Sequence, residues 1–262
     1  MIGRTALALV AASSLGVTTL MAGAPAKAPA PVVPAEEPFV TGTFAVAYDT
    51  HFISFGQDVW ALGNDWGEWM IHPSVELDFN LGGGLQAYIN VWADVNDQVP
   101  STIGGYVQEL DLNVGFYYTI DKLKLQLGYY AWDYASQTEQ GIFAKASYSD
   151  GLFNPFVAVN GRTAIAIPGY DEGLVYQAGI APGTTLGPVA LSFPITVSFD
   201  TEGYHAAGSG FAYVSGGIAA SLPLTKDIAL TLGVTYYHTQ EDVIPNPDSD
   251  FITGSAGIVV TF

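Results

Sequence analysis

Apolar and polar residues alternate with a period of two over most of the chain from about residue 41 onward. Residues 122–129 read Lys-Leu-Lys-Leu-Gln-Leu-Gly-Tyr, with the leucines and the tyrosine on one face and the lysines, glutamine and glycine on the other. Residues 86–94, 109–116 and 228–236 repeat the pattern. Because successive side chains of a strand point to opposite faces, the alternation predicts β-strands with one apolar and one polar face.

The number of such segments predicts the architecture. Twelve segments lie near residues 41–49, 70–80, 84–95, 106–119, 122–134, 140–149, 153–160, 173–181, 188–200, 210–222, 226–238 and 251–262. An even count is typical of bacterial single-chain outer-membrane barrels, and about 18 residues per strand and connection is enough to cross a bilayer. The sequence therefore predicts an all-β, transmembrane, antiparallel up-and-down β-barrel. Since Pro155 weakens one segment, ten and fourteen strands stay open.

The connections between these segments alternate in length. Short ones, as at 81–83, 120–121, 150–152 and 223–225, alternate with long ones, as at 50–69, 96–105, 161–172, 201–209 and 239–250. This alternation is expected of short periplasmic turns and longer outer loops. Two connections depart from it, because 135–139 is short for an outer loop and 182–187 is long for a turn.

Aromatic residues concentrate near the ends of the predicted strands, which predicts two interfacial girdles. The outer set is Trp92, Trp132, Tyr134, Tyr236 and Tyr237, and the inner set is Phe79, Phe116, Tyr118, Phe153 and Phe262. Other aromatics are expected to point inward, namely Tyr88, Trp92, Tyr117, Tyr130, Phe143 and Tyr213. Such rings either fill the lumen or form a stacking path for sugars, and the sequence does not choose between these.

The N-terminal 40 residues are predicted to lie outside the barrel. Residues 1–24 have a basic start, a small apolar stretch and an Ala22-Gly23-Ala24 end, which predicts a secretory signal peptide. Cleavage after Ala26 is an alternative, and so is a membrane anchor. Residues 25–40 are rich in proline and alanine and are expected to form an extended periplasmic linker. The remaining residues, 41–262, form the predicted barrel.

Composition narrows the function. Charged residues make up only 12% of the chain and hydrophobic residues 49%, whereas soluble domains carry about 25% charged residues. The formal charge of −18 argues against nucleic acid and favours cations as partners. The absence of cysteine excludes disulfides, thiolate metal sites and a cysteine nucleophile.

The last strand ends Ile258-Val-Val-Thr-Phe262. A terminal strand that closes on phenylalanine resembles the assembly signal of bacterial outer-membrane β-barrels, which implies recognition of Phe262 by the outer-membrane assembly machinery. The first hairpin, Tyr48-Asp-Thr-His-Phe-Ile-Ser-Phe-Gly56, is similar over its length to a family of porins, although Phe55 replaces the arginine of that family. This resemblance implies a porin-like barrel in the cell outer membrane, in contact with lipid and lipopolysaccharide.

The polar faces of the strands predict the lining of a pore, because a charge that faces lipid is costly. The expected pore-lining residues are Glu76, Asp78, Asp94, Glu109, Asp111, Lys122, Lys124, Lys145 and Asp200. Their acidic excess would favour cations. Alternatively, Glu109 and Asp111 pair with Lys122 and Lys124 and brace the wall.

Other chemistry finds weaker support in the sequence. No cofactor is expected, although Ca²⁺ at acidic outer loops is an alternative. The loop carboxylates concerned are Asp58, Asp65, Glu68, Asp97, Glu139, Asp171, Glu172, Glu202, Glu241, Asp242, Asp248 and Asp250. All four histidines, His51, His72, His205 and His238, are expected near the outer end, where a shared metal site is an alternative to independent rim residues.

The leading function is passive diffusion of small hydrophilic solutes, with a preference for cations. The first alternative is a plugged structural or adhesive barrel that presents acidic loops. The second is an enzyme at the barrel rim, for which Ser54 and His51 are the best pair, but no catalytic motif is present, so no enzyme is predicted. The identity of the solute and the oligomeric state stay open.

Overall fold

A computed structural model describes residues 9–10, 18–19, 38–61, 69–167 and 169–262. Of the predicted signal peptide and linker, the structure describes the paired strands Leu9–Val10 and Thr18–Thr19 and residues 38–40, the last of which, Val40, begins the first barrel strand. The rest of both segments lies outside the described residues. Both segments therefore stay predictions. In the part of the chain that the structure covers, no helix is long and apolar enough to cross a membrane.

The barrel consists of twelve antiparallel strands, as the sequence predicts. They are β1 (Val40–Asp49), β2 (Met70–Gly82), β3 (Leu85–Asn96), β4 (Val107–Ile120), β5 (Leu123–Tyr134), β6 (Gln137–Tyr148), β7 (Phe156–Ala164), β8 (Gly173–Ile180), β9 (Ile195–Asp200), β10 (Gly210–Pro223), β11 (Ile228–Thr239) and β12 (Asp250–Thr261). Each pairs with its neighbours in sequence, and β12 pairs with β1 from Thr43 opposite Thr261 to Asp49 opposite Ser255. Closure leaves no open barrel edge in the membrane, where unpaired backbone groups are costly.

The two connections of irregular length have simple geometries. Between β8 and β9, Gly183–Leu186 pairs with Val189–Ser192, and Val189–Ser192 also pairs with β10, so the hairpin prolongs the wall and only residues 187–188 form the turn. Between β5 and β6, Ala135 and Ser136 both have positive φ, of 49° and 61°. Two positive φ values in a two-residue hairpin twist in the same sense as the strands, which permits a tight turn at the outer end.

The apolar face of the strands points outward. Phe44 on β1, Leu127 on β5, Ile142 on β6, Leu232 on β11 and Ile258 on β12 are all exposed on the outside of the barrel. In water, such a surface would be an aggregation site, whereas a barrel with an apolar exterior and a polar interior matches the bilayer. The chain is therefore built as an outer-membrane β-barrel.

The predicted outer aromatic girdle is largely wrong. Trp92 and Trp132 are only 5% and 3% exposed and lie inside the barrel. Tyr134 and Tyr237 also occupy inward positions, and Tyr236 alone of the five points outward. The physical reason is that the outer third of the lumen is packed with loop side chains, so aromatic rings are stabilised there as well as at the lipid boundary. In the inner set, Phe116, Tyr118, Phe153 and Phe262 are exposed at the rim as predicted.

Candidate functional site in the barrel lumen

The lumen is lined by one residue in two along each strand. Eight of the nine predicted pore-lining residues occupy inward strand positions, namely Glu76, Asp78, Asp94, Glu109, Asp111, Lys124, Lys145 and Asp200. The ninth, Lys122, lies in the exposed turn between β4 and β5. Three charged residues that the prediction does not include also face inward: Asp49, Glu139 and Arg162.

The alternative pairing of Glu109 and Asp111 with lysines is wrong. Glu109 lies opposite Tyr134 and Asp111 opposite Trp132, whereas Lys124 lies opposite Thr119. The β4–β5 turn at residues 121–122 pairs residues that are equally far from it, so lysines next to the turn cannot reach carboxylates a strand length away. Lys124 instead places Nζ 3.6 Å from the centroid of the Tyr117 ring, in a cation–π contact.

A histidine bridges two carboxylates in the outer third of the lumen. His72 Nδ1 lies 2.6 Å from Asp49 Oδ2, and His72 Nε2 lies 3.2 Å from Asp94 Oδ1. Trp60 Nε1 and Asn96 Nδ2 both donate to Asp94, at 2.8 Å to Oδ2 and 2.8 Å to Oδ1 respectively. Asp94 and Asn96 are completely buried. This network fixes the wall between β1 and β3.

Arg162 forms a second network on the opposite side of the outer third. Its Nε lies 2.9 Å from Glu139 Oε1, and its Nη1 donates to the Tyr204 carbonyl oxygen at 2.6 Å. The guanidinium carbon also lies 3.9 Å from the centroid of the Tyr204 ring. Burial raises the pKa of Tyr204 well above its ordinary value, so the hydroxyl stays neutral. Arg162 thus anchors the β9–β10 loop to the wall.

The sequence predicts outer-loop positions for both residues, because the predicted strand before Arg162 ends at residue 160 and the predicted strand after Glu139 begins at residue 140. The strands extend to Ala164 and begin at Gln137. Because inward side chains recur at every second residue, the inward positions 156 and 160 on this strand predict that position 162 also faces the lumen.

The first outer loop folds into the lumen; residues 50–60 are termed the plug loop. Its Phe52 ring lies 5.1 Å from the Trp92 ring, and its Phe55 ring lies 6.1 Å from the Trp132 ring. Phe55 also makes an edge contact with Tyr204 at 5.7 Å. Phe52 and Phe55 are 2% and 4% exposed, so the loop fills the outer mouth rather than extending into solvent.

Two further loops hold the plug loop by hydrogen bonds. Asn246 on the β11–β12 loop donates from Nδ2 to the Gly56 carbonyl oxygen at 2.8 Å, and its Oδ1 accepts from the Asp58 amide at 2.9 Å. Gln57 Nε2 donates to the Tyr170 hydroxyl at 2.9 Å. The plug loop is therefore bonded both to the neighbouring β11–β12 loop and, across the barrel, to the β7–β8 loop, and it lies over the outer mouth.

The inner half of the lumen differs from the outer half. Glu76, Asp78, Gln126 and Lys145 are all of intermediate exposure there. The Tyr117 hydroxyl donates to Glu76 Oε1 at 3.2 Å, and Gln126 Nε2 donates to the Tyr117 hydroxyl at 3.3 Å. This region is a polar vestibule below the plug loop.

An aromatic stripe follows strands β3 to β6 down the wall. Tyr88 stacks on Tyr117 at 4.5 Å and Tyr130 on Trp132 at 4.2 Å. Tyr88 and Phe143 lie against Gly128, where an added Cβ would come within 2.6 Å of both side chains. Glycine at this position therefore lets the rings lie close to the wall.

The sequence offers the four histidines as possible metal ligands and Ser54 with His51 as a possible catalytic pair. Among the described residues, no group of three or more histidine and carboxylate side chains is arranged to hold a metal ion. His238 points outward with Asp250, 2.9 Å from its Oδ1, far from the inward His72. His51 contacts Asp58 at 2.7 Å, and within the described chain no hydrogen bond joins it to Ser54.

The acidic outer loops do not form one cluster. Glu139 is a lumen residue, Asp250 begins β12, and Asp58 is buried within the plug loop. Asp65 and Glu68 lie outside the described residues. The Ca²⁺ alternative therefore stays an expectation from sequence.

Comparison with known proteins identifies the fold. No family model matches the chain, and no curated protein matches its sequence. The structure is similar to the COG4313 outer membrane channel from Pseudomonas putida F1, with a TM-score of 0.57 and 12% identity over 88% of this chain and 100% of that chain. It also aligns with the KdgM porin at a TM-score of 0.48 and 8% identity, over 84% and 99% of the two chains. The similarity to the COG4313 channel thus shows that the protein has the fold of an outer-membrane β-barrel.

Proposed function

We propose that the protein is an outer-membrane channel for small hydrophilic solutes whose outer mouth is closed by the plug loop. The observation that carries the proposal is the polar vestibule, in which charged residues such as Glu76, Asp78 and Lys145 remain partly exposed. A barrel stabilised only as a scaffold would gain more from apolar packing at these positions than from partly hydrated charges. Open polar space inside a membrane barrel is what diffusion of solutes requires.

A preference for cations is part of this proposal. On the described strands, inward carboxylates outnumber inward lysine and arginine side chains. The acidic residues are Asp49, Glu76, Asp78, Asp94, Glu109, Asp111, Glu139 and Asp200, and the basic residues are Lys124, Lys145 and Arg162. Rings of acidic side chains lower the energy of a passing cation and raise that of an anion.

The plug loop favours a second candidate, a closed structural barrel. Phe52, Ile53 and Phe55 are all buried, and Asn246 fixes the loop through Gly56 and Asp58. In the channel proposal, this loop must move out of the lumen before solutes can pass. In the structural proposal it stays in place, and the acidic outer loops would be the functional surface. Neither proposal uses a catalytic step, and we propose that the protein is not an enzyme.

Single-channel recording on the refolded protein in a planar bilayer separates the two. We expect stepwise conductance from the wild type and a larger open fraction from Asn246→Ala, which loses both contacts to the plug loop. Glu241→Gln is the matched control, because Glu241 lies on the same loop and, among the described residues, accepts a hydrogen bond from Ser249 Oγ rather than holding the plug loop. If neither the wild type nor Asn246→Ala shows conductance, although both fold normally by heat-modifiable migration in gels, the channel proposal is contradicted and the structural barrel is favoured.

A further inference from the structure

Two tryptophans flank a carboxylate at one level of the outer lumen. Trp92 on β3 lies directly opposite Asp111 on β4, and Asp111 lies directly opposite Trp132 on β5. All three occupy inward positions, and all three are at least nine-tenths buried. Directly opposed residues have Cβ atoms about 4.5–5.5 Å apart, so the two indoles and the carboxylate form one continuous surface.

This surface has polar atoms that the protein leaves without partners. Trp92 Nε1 is buried and donates no hydrogen bond within the part of the chain that the structure describes. Asp111 Oδ1 is buried there without an N–H or hydroxyl donor, and the Asp111 carboxyl group lies beside that of Glu109. Buried polar atoms in proteins are nearly always hydrogen-bonded, so two at neighbouring positions need an explanation. One is an acceptor and the other a donor, and a hydroxyl group on a ligand can serve both.

The plug loop covers this surface with two rings. Phe52 packs on Trp92 with its ring tilted by 44°, and Phe55 stacks on Trp132, one on each side of Asp111. His72 and Tyr130 also stack on these indoles from the wall. The phenyl rings cover the indoles, but they have no polar groups for Asp111 Oδ1 and Trp92 Nε1. The loop therefore covers this surface but gives neither of the two polar atoms a hydrogen-bond partner.

We propose that Trp92, Asp111 and Trp132 form a saccharide-binding subsite that is exposed when Phe52 and Phe55 are displaced. The apolar face of a sugar ring stacks on an indole, and its hydroxyls pair with a carboxylate and an indole N–H. Asp94 and Asp49, two carboxylates that share the single histidine His72 beside this surface, add negative charge that disfavours acidic sugars. The inference rests on the proposed channel, since a solute site inside the barrel requires access to the lumen.

Binding to the detergent-solubilised protein tests the subsite without requiring conductance. We expect maltohexaose, measured by isothermal titration calorimetry, to bind Phe52→Ala/Phe55→Ala at least ten-fold more tightly than the wild type. A polymannuronate hexamer of the same length should bind at least ten-fold more weakly than maltohexaose to that variant. Equal affinity of both oligosaccharides for that variant would overturn the charge argument.

Further substitutions in the Phe52→Ala/Phe55→Ala background locate the site. Asp111→Ala and Trp92→Phe should each weaken maltohexaose binding about ten-fold, because Trp92→Phe keeps a stacking ring and removes only the N–H. Trp69→Phe is the control, since Trp69 contacts Tyr106 outside this surface and should bind as the background does. Unchanged binding in Asp111→Ala and Trp92→Phe overturns the subsite. A conducting protein that fails to bind maltohexaose overturns the subsite and leaves the channel intact, whereas binding by a non-conducting protein overturns the channel alone.

Discussion

Arg162 and Glu139 form an ion pair inside the barrel, with the arginine Nε 2.9 Å from the glutamate Oε1 and both side chains no more than 5% exposed. The pair joins β6 to β7, and through the Tyr204 carbonyl it also joins the wall to the β9–β10 loop. A buried charge without its partner is costly, so this contact makes the first stability prediction.

Glu139→Gln should destabilise the barrel by about 3–5 kcal/mol, because it leaves the Arg162 charge buried and unpaired. The midpoint of urea unfolding in detergent measures the loss. Glu139→Gln/Arg162→Met should recover part of it, since the double variant removes both charges. Lys226→Ala is the control, because Lys226 and Asp227 form an exposed pair at 3.4 Å that is worth at most about 1 kcal/mol. A loss no larger than that of Lys226→Ala would contradict the anchoring role of Arg162.

The packing of rings against the wall predicts a contrast between two glycines. A Cβ at Gly141 would lie 2.3 Å from the Tyr130 ring and 2.4 Å from the Gly161 carbonyl oxygen, whereas nothing lies within 4 Å of a Cβ at Gly216. Gly141→Ala should therefore cost about 1–3 kcal/mol, and Gly216→Ala close to nothing. The same unfolding assay compares them, and equal stability of the two variants would mean that Tyr130 is free to move.

The strands were predictable because alternation is enforced by the bilayer. Leu127 faces lipid and must be apolar, whereas Lys124 faces the lumen and can be charged. The bilayer therefore determines the type of residue at each successive position of β5. Strand ends were less predictable: β6 begins three residues and β7 ends four residues beyond the expected limits, because Glu139 and Arg162 extend the inward pattern.

The interior of the outer mouth was not predictable from local pattern. A strand end is where interfacial rings lie, which predicts a girdle position for Trp92 and Trp132, while the alternation of faces also predicts an inward Trp92. Strand pairing places both rings inside the barrel, but their contacts with Phe52 and Phe55 join residues 40 and 77 positions apart in the chain. Period-two reasoning assigns faces within a strand, but it carries no information on where a loop folds.

Ion selectivity is expected to depend on the vestibule. The double variant Glu76→Gln/Asp78→Asn removes two partly exposed carboxylates from the lumen, whereas Lys124 remains. In a tenfold salt gradient, the cation-directed reversal potential of the wild type should move toward zero in this variant. Asp133→Asn is the control, because Asp133 occupies an outward, exposed position on β5. An anion-directed potential in the wild type would contradict the proposed selectivity.

The seam between β12 and β1 is closed by Phe262. Its N–H donates to the Gly42 carbonyl oxygen at 3.0 Å, and its carbonyl oxygen accepts from the Gly42 amide at 2.8 Å. The Phe262 ring lies over Gly42, where an added Cβ would meet ring carbons at 2.5 Å. The ring is nevertheless 64% exposed, so it contributes little buried area at the inner boundary.

Phe262→Ala keeps both backbone hydrogen bonds and should change refolding yield in detergent only slightly. If the assembly machinery reads this side chain, as the resemblance to outer-membrane barrels implies, the same variant should sharply lower the level of protein in the outer membrane of cells. Phe153→Ala is the matched control, because Phe153 is another exposed ring at the inner rim and should leave both quantities near wild type. Equal losses of Phe262→Ala in detergent and in cells would show that the ring acts by packing on Gly42 alone. If neither quantity fell, the side chain would have no role in closure or in recognition.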